Sequence, residues 1–99
     1  LTRIYNITMS TPFGIQKGRI TLVITGNSLS GVLEGMGAKS EFYNGKISGN
    51  NFEFSGQARS LIARIQYHVK GTLSNEVISA SINTNHGTFS ASGTLVSQS

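Results

Sequence analysis

The chain has no cysteine, no aspartate and no tryptophan, and its one proline is Pro12. Without cysteine there is no disulfide framework and no thiolate metal site. Its absence does not fix the compartment. Only two histidines occur, His68 and His86, far apart in the sequence. With no aspartate to join them, a metal site or other cofactor site is not expected. Charge is also sparse, at 12% of residues. Lys17, Arg19, Lys39, Lys46, Arg59, Arg64 and Lys70 are dispersed and never form a run, so the net charge of +4 reads as a solubilising surface. A nucleic-acid partner is not expected, because such proteins concentrate their charge on one face or arm. No apolar run approaches the ~20 residues of a membrane-spanning helix. No signal peptide and no helical periodicity are visible, and no Gly-x-Gly-x-x-Gly precedes a helix. The chain begins at Leu1, and Met9 lies inside a strand-like run, which leads us to expect sequence upstream.

Short alternating runs punctuated by turn residues fill the space these absences leave. The clearest is 18–35, where Gly26-Asn27 separates two alternating segments, the signature of a two-residue β-hairpin. If Thr25 faces Ser28, then Ile24 faces Leu29, Leu22 faces Gly31 and Ile20 faces Leu33, all on one face. The other face carries Val23 opposite Ser30, Thr21 opposite Val32, and Arg19 opposite Glu34. A slip of one residue would destroy both faces.

The same reasoning predicts eight strands. They are Arg3–Ser10, Ile15–Thr25, Ser28–Gly35, Ala38–Ser48, Asn51–Ala58, Leu61–Gly71, Glu76–Thr84 and Gly87–Val96. Tyr5, Ile7 and Met9 share the inner face of the first. Inward positions of the last three are Ala63, Ile65, Tyr67 and Val69; Ile78, Ala80 and Ile82; and Phe89, Ala91, Gly93 and Leu95. Gly49-Asn50 is a second tight turn, placing Ile47 opposite Phe52, Lys46 opposite Glu53 and Gly45 opposite Phe54. Phe42 then reaches the inner face only if a bulge at Asn44-Gly45 resets the alternation. A separate turn at Asn44-Gly45 is the alternative. Thr72–Asn75 reads as a four-residue turn.

The hairpins 18–35 and 63–84 share a plan. Arg19-Ile20 corresponds to Arg64-Ile65, Leu22 to Tyr67, and Leu29-Ser30-Gly31 to Ile78-Ser79-Ala80. In each a large residue would face a small one, Leu22 with Gly31 and Tyr67 with Ala80. This reads as an internal hairpin repeat. Eight consecutive strands with short connections form a meander, and an open meander would leave two long edges. Closure removes both. The expected architecture is all-β, an eight-stranded antiparallel up-and-down barrel forming a single domain over 1–99.

In this pattern the whole chain resembles the calycin-like barrels of the lipocalin and avidin type. The lipocalin Gly-x-Trp signature and the tryptophans that enclose biotin in avidin-like proteins are absent. The runs Thr-Pro-Phe-Gly, Lys-Gly-Arg-Ile-Thr-Leu and Gly-Asn-x-Leu-Ser-Gly also resemble an uncharacterised family of small bacterial β-domains, which brings no activity with it.

Connections in a meander alternate between the two ends. Gly26-Asn27, Gly49-Asn50 and Thr72–Asn75 would share one end. Pro12-Phe13, Met36, Arg59-Ser60 and Asn85-His86 would share the other. Ligand sites in barrels sit at the mouth, so Phe13, Met36, Arg59 and His86 are the candidate ligand-binding residues, with a small apolar ligand as the expected partner. A catalytic role is not expected. A hydrolytic triad needs a base oriented by an acid, and no glutamate has an obvious link to a histidine. His68 lies on the outward phase between Gln66 and Lys70 and reads as a solvated surface residue. Arg19 and Arg64 read as cross-strand partners of Glu34 and Asn83, with anion binding as the alternative. The expected function is thus a non-enzymatic barrel binding a small apolar ligand. The alternative is an accessory or protein-interaction domain with a packed interior. An interior void of ~300 Å3 or more favours the first.

Overall fold

The computed structural model describes residues 1–11, 14–35, 38–59, 64–85 and 87–99, with backbone alone for 38, 58 and 59. Eight strands follow one another: β1 (Thr2–Thr11), β2 (Gly14–Thr25), β3 (Ser28–Gly35), β4 (Ala38–Ser48), β5 (Asn51–Arg59), β6 (Arg64–Leu73), β7 (Val77–Thr84) and β8 (Gly87–Gln98). Each pairs antiparallel with the next, and β1 pairs with β8, so the meander closes into a barrel without edges. The termini help seal it, with Thr2 N–H donating to the Ser99 carbonyl at 2.7 Å and Ser99 N–H returning to Thr2 at 2.8 Å. Among the described residues no helix is long and apolar enough to cross a membrane.

The β2–β3 hairpin has the register its alternation predicts, including Leu22 opposite Gly31 and Arg19 opposite Glu34. The turn works because Gly26 has φ +60, which L side chains rarely adopt. Alternation then sends Tyr5, Ile7, Met9, Ile20, Leu22 and Leu29 into the interior, each 5% exposed or less.

The expected bulge in β4 is present one residue earlier than placed. Leu29 pairs with Gly45 but Gly31 pairs with Phe42, so Tyr43 and Asn44 together oppose Ser30. The extra residue lets both Phe42 and Ile47 face inward while Tyr43 is 77% exposed. On the other side of β4, the described ladder to β5 consists of Lys46↔Glu53, Ile47↔Phe52 and Ser48↔Asn51. Gly45 and Phe54 are not a ladder pair, contrary to the expected continuation of that hairpin. Side chains bridge the strands farther up: Ser55 N–H donates to Asn44 Oδ1 at 3.2 Å, and Ser40 Oγ–H donates to the Gln57 carbonyl at 2.8 Å.

The β6–β7 register corrects a second expectation. Leu73 is not a turn residue; it pairs with Ile78 and is 3% exposed. The turn is 74–76, closed by Ser74 N–H to the Val77 carbonyl at 2.9 Å. Ser74 Oγ also accepts from the Glu76 and Val77 amides, each at 3.2 Å. Placing Leu73 inside contributes ~1.5–3 kcal/mol of burial that the wider turn would have left in water. The pairing moves with it, so Tyr67 faces Thr84 and Gly71 faces Ala80. The large-opposite-small match of Leu22 with Gly31 therefore has no counterpart in Tyr67 with Ala80, and the repeat does not extend to the pairing of the second hairpin.

Candidate functional site

The topology gathers the strand ends flanking four connections, at Thr11/Gly14, Gly35/Ala38, Arg59/Arg64 and Thr84/Gly87, at one end of the barrel. The turns 26–27, 49–50 and 74–76 and both termini occupy the other. Of the four candidate mouth residues, Phe13, Met36 and His86 lie outside the described residues, as does the side chain of Arg59. The Arg59 backbone ends β5 opposite Arg64.

Among the described residues the interior is filled. The void among Ile7, Phe52, Phe54, Val69, Ile82 and Ala91 is about 10 Å3, too small to contain a ligand. Phe42 and Phe54 stack with ring centroids 3.7 Å apart, and Tyr67 meets Phe54 edge-on at 6.2 Å. One polar pair joins this core: Ser40, 4% exposed, has its hydroxyl 2.6 Å from that of Tyr67. Burial raises the Tyr67 pKa above the usual 10.0, and the bond to Ser40 partly opposes that shift. Tyr5 is fully enclosed and donates its hydroxyl proton to the Ser74 carbonyl at 2.6 Å. Among the described residues every buried side-chain nitrogen or oxygen has a hydrogen-bond partner, as the low dielectric of a core demands.

Chemistry collects instead on the outer wall over β4, β5 and β6. The registers align Lys46, Glu53 and Lys70 in one row across three strands. Ser55 faces His68 in the adjacent outward row. The Ser55 hydroxyl lies 2.6 Å from His68 Nδ1, and His68 Nε2 lies 3.5 Å from Glu53 Oε2. This corrects the expectation that no glutamate is linked to a histidine. The signal was present in the strand pairing, because Glu53 and Ser55 are two apart on β5 and therefore share a face. It became legible only once the β5–β6 register put His68 beside them. Arg64 likewise does not oppose Asn83; it pairs with Arg59, and His68 takes the place opposite Asn83. Arg19 is opposite Glu34 as expected, but its Nε–H points to Asn6 Oδ1, at 3.5 Å.

A groove of about 820 Å3 runs along this wall, lined by Asn27, Asn44, Lys46, Asn51, Glu53 and Lys70 among others. Beside it Tyr43 projects from the bulge and hydrogen-bonds Glu41. The Glu41 bond and charge raise the Tyr43 pKa above its ordinary value. Among the described residues no group of three or more His, Asp or Glu side chains could hold a metal ion. No family model matches this chain, and no curated protein matches it either.

Proposed function

We propose that this barrel is an interaction module that binds from its outer wall, its interior serving as a packed core. The observation carrying this reading is that the void among the described interior residues is about 10 Å3, against the ~300–1,000 Å3 of small-molecule pockets. The groove over β4 and β5 is the contact surface. Its carboxamides, with Lys46 and Lys70 flanking Glu53, suit a partner that is polar and rich in hydrogen-bonding groups, such as the backbone and side chains of another protein. Exposed Tyr43 adds an aromatic of the kind enriched at interfaces. The closed eight-strand meander supports kinship with the calycin-like barrels, while the filled interior distinguishes it from those that carry a ligand inside.

A second reading keeps a small apolar ligand at the mouth, favoured by the convergence of the four strand-end pairs at one end. Mapping the binding of a small-fragment mixture by amide and methyl NMR separates the two. Perturbations clustered on the Asn44, Lys46 and Asn51 amides are expected. Perturbations at the amides of Thr11, Gly14, Gly35 and Gly87 would move the site to the mouth. Perturbations at the methyls of Ile7, Val69 and Ala91 would mean that the core opens to admit a ligand, overturning the proposal.

A further inference from the structure

We infer that Ser55 is an activated nucleophile, able to accept an acyl group from an activated ester on the outer wall of the barrel. This goes beyond surface binding: it shares Asn44, Lys46, Glu53 and Lys70 with the groove but rests on the contacts of Ser55 and His68 at its edge. Ser55 and His68 face one another on β5 and β6, and Glu53 lies two residues before Ser55 on the same face. The hydroxyl is 2.6 Å from His68 Nδ1, and Glu53 Oε2 is 3.5 Å from Nε2. The carboxylate favours the tautomer with its proton on Nε2. That leaves the Nδ1 lone pair to accept from the Ser55 O–H. Nucleophile, base and orienting acid thus form a chain, the arrangement that makes a serine hydroxyl reactive. The His68 and Glu53 side chains are each 44% exposed, so a substrate in solvent can reach them.

The bulge in β4 supplies the remaining part. By turning Asn44 outward it lets Asn44 Oδ1 accept the Ser55 backbone N–H at 3.2 Å. The Asn44 carboxamide, with its two N–H donors, is thereby fixed beside the nucleophile. A side-chain amide in that place can stabilise the oxyanion of a tetrahedral intermediate. Lys46 and Lys70, across β4 and β6 from Glu53, favour an ester whose alcohol or phenol portion carries an anionic substituent.

The step balances without a further reactant. Ser55 Oγ attacks the carbonyl carbon and its proton passes to His68 Nδ1. The carbonyl electron pair moves onto oxygen, facing Asn44. As it returns, the bond to the leaving oxygen breaks and the proton on His68 goes to that oxygen. The products are a Ser55 ester and a free alcohol or phenol.

An alkyl fluorophosphonate tests this, because it forms a stable Oγ–P bond with activated serines and releases fluoride. The chain has fourteen serines, so the other thirteen are internal controls. Intact mass and peptide mapping should find one adduct, on Ser55. His68→Gln should slow labelling at least ten-fold, and Glu53→Gln and Asn44→Ala by several-fold each. These side chains point outward, and melting curves will establish that the variants are folded. No adduct on the unaltered protein, adducts spread over many serines, or an unchanged rate in folded His68→Gln would each overturn the inference. Selectivity among the serines of the unaltered protein decides the matter even if a variant does not fold.

Discussion

Phe42 and Phe54 lie ring on ring, with centroids 3.7 Å apart and planes within 8° of parallel. They join β4 to β5 just above the Lys46↔Glu53 pair, where the described ladder between those strands stops. Side-chain stacking thus contributes to closure where regular backbone pairing ends. Both rings are 2% exposed or less, so their contact is fully desolvated.

This contact can be measured by a double-mutant cycle. Phe54→Ala alone should cost ~3–5 kcal/mol, the usual toll of emptying an aromatic site in a core. Phe42→Leu and Phe54→Leu, singly and together in urea melts, should yield a coupling of ~0.5–1.5 kcal/mol. A coupling indistinguishable from zero would mean that the rings fill space without holding the seam.

Gly31→Ala should be among the most damaging small substitutions in this protein. A methyl there would stand 1.8 Å from the Thr21 carbonyl oxygen and 3.1 Å from the Phe42 ring. In a closed barrel the backbone at Thr21 cannot withdraw without breaking a ladder. The expected loss is ~3 kcal/mol or more, at the upper end of overpacking costs. Gly26→Ala is the comparison, because open space surrounds it and only its φ of +60 is disfavoured. It should lose ~1–2 kcal/mol. Thermal melts of the two variants give the ranking, and equal losses would contradict it.

Alkaline pH should expose the buried tyrosine. The Tyr67 pKa is raised in the folded state, first by burial. Above pH ~10 the unfolded chain therefore releases the phenolic proton while the folded chain retains it. Stability is fully present below the unfolded value and falls as pH rises from there through the folded value. Tyr67→Phe should flatten that fall. Tyr43 is also raised, through its bond to Glu41, so the comparison is best made in a Tyr43→Phe background. A pH slope unchanged by Tyr67→Phe would show that its phenol titrates alike in both states.

Much of the fold could be read from one dimension. Eight alternating runs, the Gly26-Asn27 turn and the need to hide sheet edges led to a closed antiparallel meander, because side-chain alternation has a period of two whatever the strand meets. The Phe42 problem pointed to a bulge for the same reason. The β6–β7 register was not legible, because local turn propensity favoured 72–75 while the gain from burying Leu73 depends on a core built by distant strands.

Function divides along the same line. Alternation alone assigned His68 to the outer face, and meander connectivity alone put the connections around Phe13, Met36 and His86 at a common end. Whether the interior was hollow depended on how Phe42, Phe54 and Tyr67 interlock, and side-chain packing is a property of three dimensions. Adjacency of the hydroxyl, imidazole and carboxylate depended on strand register. A shift by one step on β6 would have parted them without altering any residue's preference for strand or for water.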